Sequence, residues 1–133
     1  MIAELEKDIR KLANPKKAKI YQRFFKTGKG EYGEGDVFLG LTIPQSRKIA
    51  IKYKNLSFDD IKKLLQSKIH EERLIALLIL VHNFQKGTET DRKDIYNYYL
   101  ENTKYINNWD LVDLSADKIV GQYLLDKSKD ILF

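Results

Sequence analysis

The sequence contains no cysteine. Disulfide frameworks, thiolate nucleophiles and cysteine-ligated zinc are therefore excluded. Histidine occurs only at His70 and His82, too few and too far apart to suggest a metal site. Proline occurs twice and glycine seven times, so long helices are permitted over most of the chain. The longest apolar run, residues 74–81, is far short of the roughly 20 residues that cross a bilayer. No signal-peptide pattern opens the chain. With no disulfide framework either, the cytoplasm is the expected compartment.

What is present suits a soluble helical protein. The 133 residues are enough for one domain, 1–133. A hydrophobic share of 43% beside 32% charged residues is foldable rather than disordered. The net charge of +5 is unevenly placed. Residues 1–30 carry nine bases against three acids, a surplus of +6, so the remainder nets −1. A basic end of this kind suits a polyanion partner. A solvated lysine-rich helix face explains it equally well.

The periodicity is helical throughout. Ile2, Leu5, Ile9 and Leu12 mark one amphipathic helix. Asn14-Pro15 caps and opens a second, running to about Lys26. Residues 27–36 hold four glycines and are expected to form a loop. Pro44 opens a third helix to about Lys54, and Ser57 caps a fourth with Phe58, Ile61, Leu64 and Leu65 inward. The segment from His70 to Gln85 is apolar on nearly all sides, as a helix buried between other helices must be. Gly87 ends it. Helices over about 91–105 and 109–125 follow, and no convincing period-two strand appears. Helix pairs of about 40 residues joined by short loops are the pattern of an α-solenoid. The fold class expected is all-α, a right-handed α–α superhelix of HEAT-like repeats. The apolar ending Ile131-Leu132-Phe133 is not a polar end cap, so the chain is expected to be the N-terminal part of a longer solenoid. Self-association through that end is expected.

Several motifs invite chemistry. Gly28, Gly30, Gly33 and Gly35 match a nucleotide-loop pattern by letter, but no preceding strand or βαβ unit supports it. Their amides can still approach an anion closely, flanked by Lys26 and Lys29; packing between helices is the alternative. His70-Glu71 begins like a zincin helix, but position 74 is leucine, so no zinc site follows. His82 reads as a core or edge histidine. In Asn107-Asn108-Trp109-Asp110-Leu111-Val112-Asp113, Asn107 or Asn108 can cap a helix. Asp110 in its first turn is explained by the helix dipole. Trp109 and Asp113 are four apart and share a face. On spacing alone, a packed tryptophan and a solvated aspartate account for the pair.

Three segments together point further. FKTGKGEYGEGD with FLGLTIPQSR (residues 25–47), HEERLIALLIL (70–80) and NNWDLVDLSADKIVG (107–121) occur in order and at matching spacing. In this the chain resembles the AlkD-like DNA alkylation repair family. The first and third segments are specific and the second is not. The resemblance implies a HEAT-like solenoid cradling duplex DNA on a basic concave face. It implies hydrolysis of the N-glycosidic bond of cationic alkylpurines, chiefly 3-methyladenine and 7-methylguanine, with no metal or organic cofactor. It places the catalytic aspartate at Asp113 and the cleft tryptophan at Trp109. Phosphate contacts are expected from Lys26, Gly28, Lys29, Gly30, Arg47 and Lys48, with plain solvation the alternative for each lysine. The sequence departs from the family in lacking a counterpart, before Phe133, of a further cleft arginine and a second aromatic carried by later repeats. A non-catalytic HEAT-type module binding nucleic acid or protein is the alternative.

Overall fold

The computed structural model describes residues 2–24, 37–102 and 117–124. Six α-helices are described: α1 (Ile2–Leu12), α2 (Pro15–Phe24), α3 (Ile43–Lys52), α4 (Phe58–Leu65), α5 (His70–Lys86) and α6 (Glu89–Glu101). A π-helical turn, Asp117–Gly121, follows. No strand occurs among the described residues; the one β-bridge joins Val37 to Ile69. The protein is therefore all-helical, as the periodicity demanded.

Local signals set the helix ends. The Asn14 side-chain oxygen accepts the amides of Lys16 and Lys17 at 3.1 Å, which satisfies two donors that the first turn of α2 leaves open. Ser57 accepts from Asp60 at the start of α4. Thr42 and Gln45 form a reciprocal capping box on α3. Thr88 and Asp91 do the same on α6, so that helix begins at Glu89, two residues ahead of the expected start. The π-turn is a correction to the regular helix expected over 109–125; most of that span lies outside the described residues.

α5 is the central element. It packs against α3, α4, α6 and the π-turn. Leu74 to Val81 are all buried, with Ile75, Ala76 and Ile79 wholly inaccessible. Burial on every side explains why its apolar residues show no preferred face. Leu5 and Ile9 of α1, Ile49 and Ala50 of α3, and Ile61, Leu64 and Leu65 of α4 complete the core. Each fully buried Leu or Ile contributes roughly 1.5–3 kcal/mol of transfer free energy. Two polar contacts bind the outer helices to this core. Asp8 of α1 accepts from Lys52 at 2.7 Å and from the Tyr53 hydroxyl at 2.6 Å. The Tyr98 hydroxyl of α6 donates to the Phe58 carbonyl at 2.7 Å, and the two rings stack at 4.5 Å. Burial, with Asp59 and Glu101 nearby, pushes the Tyr98 phenol up to about 12.

The first turn of α5 is polar yet buried, and each group has its own answer. Glu71 is 2% exposed. Its carboxylate accepts the amides of Leu39, Gly40 and Leu41 at 3.0, 2.8 and 3.2 Å. Glu72 accepts from the Ser67 hydroxyl. His70 stacks on Phe38 at 4.5 Å. The segment 37–41 is thereby fixed from both sides. Val37 exchanges hydrogen bonds with Lys68 and His70, and the Leu39 carbonyl accepts from the Asn14 amide at 2.7 Å. Gly40 needs φ +89°, and a Cβ there would lie 2.1 Å from the Asn14 carbonyl oxygen. Only glycine fits.

Candidate nucleic-acid interface

The site is built from one face of each of three elements. On α3, Arg47, Ala50 and Ile51 are three and four apart and share a face. On α5, Leu78, Val81, His82 and Gln85 do the same. Lys118 comes from the π-turn. Together these residues line a groove of about 240 Å³. Its floor is apolar: Ala50, Leu78 and Val81 are buried, and Ile51 is 51% exposed. Its rim is polar, with Arg47 and Lys118 as cations and His82 and Gln85 as further polar side chains. No carboxylate is among the described lining residues.

Two other hollows differ in chemistry. One of about 510 Å³ is lined by Lys54 and Lys86 but also by Asp91 and Asp94. The helix starts beside it are already capped by Ser57 and Thr88. It offers an anion no net attraction. The other, about 120 Å³, is lined by Tyr21, Phe38, Leu41, Ile43, His70, Leu74 and the Glu71 carboxylate that holds segment 39–41. The groove is therefore the described hollow best suited to an anion.

Of the residues expected to meet phosphate, Arg47 and Lys48 are both exposed on α3. Arg47 faces the groove; Lys48 is not part of its lining. Lys26, Gly28, Lys29 and Gly30 lie outside the described residues, as do Trp109, Asp110 and Asp113. Lys16, Lys17 and Lys19 of the basic end are exposed on α2. Three rim residues were not among the expected contacts. His82, read as a core or edge histidine, is half-buried at the groove. Gln85 and Lys118 drew no notice. The signal for the first two was the spacing of Leu78, Val81, His82 and Gln85 on one helical face; nothing in the letters marks Lys118.

Among the described residues no group of His, Asp and Glu could hold a metal ion, and no helix is long and apolar enough to cross a membrane. Searches of curated proteins and of solved structures returned no match. A family model described as DNA alkylation repair enzyme matches residues 5–133. An all-helical chain matched over nearly its whole length by that model belongs to the DNA alkylation repair enzyme family.

Proposed function

We propose that this member of a DNA repair family hydrolyses the N-glycosidic bond of cationic alkylated purines in duplex DNA, 3-methyladenine and 7-methylguanine being the substrates expected. The observation that supports this reading most is the position of the basic groove. Its Lys118 lies five residues after Asp113. The candidate carboxylate is thus close in sequence to a residue of a cationic groove suited to a DNA strand.

The chemistry asks little of the protein. A purine alkylated at N3 or N7 is already positively charged and leaves as a neutral base, so no general acid is required. The transition state has oxocarbenium character at the sugar, as in glycoside hydrolysis. One carboxylate can stabilise that charge and hold the attacking water, and Asp113 takes this role. At about 4 Å and an effective dielectric near 20, such a pair is worth about 4 kcal/mol. Realised only in the transition state, that is roughly a thousandfold in rate. Trp109 offers a ring face to the cationic base or sugar, worth about 0.5–2 kcal/mol. Arg47 and Lys118 hold the strand through its phosphates, which positions the duplex without reading sequence. The remaining expected phosphate contacts are Lys26, Lys29, Lys48 and the amides of Gly28 and Gly30.

The test is direct. Duplex DNA methylated at guanine N7 is incubated with the protein, and free base is separated from DNA and quantified. Release of 7-methylguanine above the uncatalysed rate is expected. Binding of the duplex without release would favour the non-catalytic module instead.

A further inference from the structure

We propose that the stacked pair Tyr96 and Tyr123 is the positioning device that sets Lys118 on the groove, and that its loss weakens DNA binding through Lys118 rather than through the stability of the fold. The inference rests on the reading of that groove as the seat of a DNA strand, and names two residues outside the groove as determinants of its charge. Neither tyrosine lines the groove. Tyr96 lies on α6 and Tyr123 lies just after the π-turn. Their rings are 4.2 Å apart with 21° between the planes. Such a pair holds both distance and orientation, which an aliphatic contact of equal area does not.

The need for such a device comes from the π-turn. Its bonds run from i to i+5 and interrupt the α-helical phase, so regular helix geometry does not carry side-chain direction across it. Contacts must fix those directions instead. The described segment 117–124 uses three of its sides differently. Ile119 is wholly buried, and Val120 packs beside it against the same core. Lys118, the residue before, lines the groove with Arg47. Tyr123 reaches α6, where its ring meets Tyr96. Ile119 and Val120 are adjacent, so they hold the segment against the core but resist rolling about its own axis poorly. An anchor on a different helix stops the roll, and with it sets the direction of Lys118. α6 is a firm platform for that anchor. Its Ile95 and Tyr99 are buried. Its Tyr98 hydroxyl donates to the Phe58 carbonyl at 2.7 Å, and its Arg92 donates to the Phe84 carbonyl at 3.0 Å.

The experiment uses the whole chain and undamaged duplex DNA, with affinity measured across a salt series. The variants are Lys118→Ala, Tyr96→Leu, Tyr123→Leu, Tyr123→Phe, and Tyr123→Leu combined with Lys118→Ala. Lys118→Ala should lower the slope of log affinity against log salt by about one, the share of one phosphate. Each leucine variant should lower it by about the same amount although its lysine is intact. Adding Lys118→Ala to Tyr123→Leu should lower it no further. Tyr123→Phe keeps the ring, and should keep the wild-type slope. Urea midpoints measured in parallel separate folding from binding. Both tyrosines are half-buried and leucine is a good helix former, so the leucine variants are expected to fold. A leucine variant that loses stability but keeps the wild-type slope would show a merely structural stack and overturn the proposal. So would slope losses that add in the double variant, a Tyr123→Phe that behaves like Tyr123→Leu, or a Lys118→Ala with the wild-type slope. A wild type with no salt-dependent affinity for duplex DNA would instead overturn the reading of the groove beneath it.

Discussion

The Glu71 carboxylate accepts the amide of Gly40 at 2.8 Å, and a Cβ at Gly40 would lie 2.1 Å from the Asn14 carbonyl oxygen. Two consecutive glutamates, Glu71 and Glu72, open α5, and both are buried. Their surroundings differ, so the same substitution should have opposite effects at the two positions.

Glu71→Gln replaces one carboxylate oxygen by an NH₂ group that faces backbone donors. Charge-assisted hydrogen bonds to three amides are weakened, and at least one amide is left without an acceptor. A loss of about 2–3 kcal/mol is expected from urea denaturation at neutral pH. Gly40→Ala should cost about 2 kcal/mol or more, because it combines a positive φ with a backbone clash. If either variant lies within about 0.5 kcal/mol of the wild type, the ordinary range of surface substitutions, segment 37–41 is not held as described.

Glu72→Gln should be neutral or stabilising at pH 7. Burial raises the Glu72 carboxyl above its ordinary value, partly offset by the Ser67 hydroxyl. A raised folded pKa means that the contribution is fully present below the unfolded value, near 4.5, and is lost as pH rises through the folded one. Glutamine keeps an acceptor for Ser67 and removes the charge. Any advantage over wild type should therefore be present at pH 7 and vanish near pH 4. A variant much weaker than wild type at pH 7 would mean that the charged form is favoured.

The Asp8 contact between α1 and α3 makes an acid-side prediction. The Lys52 ammonium and the Tyr53 hydroxyl hold Asp8 below the ordinary carboxylate value. A lowered pKa contributes stability above the unfolded value, near 3.8, which is lost as pH falls through the folded one. Lys52 is correspondingly raised by Asp8, so its share is present below about 10.5 and lost as pH rises further. In a comparison of urea midpoints, Asp8→Asn should sit below wild type by a constant margin over neutral pH. The margin should shrink below about pH 4 and at high salt, since the pair is open to solvent. A margin independent of pH would assign the effect to packing instead.

Much of the fold was legible because its signals are local. Asn14 and Ser57 announce helix starts by side-chain chemistry that acts within three residues. The buried run after His70 announces α5 by composition. Thr88 was overlooked because its box closes with Asp91 rather than the commoner glutamate, so α6 was expected two residues late. Glu71 could not be understood alone. Its letters resemble the start of a metal-binding helix, and its partners lie some 30 residues earlier in segment 39–41. The groove lay between these cases. Arg47 was named among the basic candidates for phosphate contact, but only the packing of α3, α5 and the π-turn brings it to His82, Gln85 and Lys118. A π-turn is a local irregularity that helical periodicity does not encode.

The most direct test of the proposed chemistry compares Asp113→Asn with Asp110→Asn in release of 7-methylguanine from methylated duplex DNA. Asparagine keeps volume and hydrogen-bonding reach and removes only the charge. At Asp113 the rate should fall by roughly a thousandfold while affinity for undamaged duplex is nearly unchanged, because the charge acts mainly in the transition state. At Asp110 the expected cost is at most about 1 kcal/mol of stability, with little loss of rate. Equal loss at the two positions, or greater loss at Asp110, would contradict the assignment of Asp113 as the catalytic carboxylate.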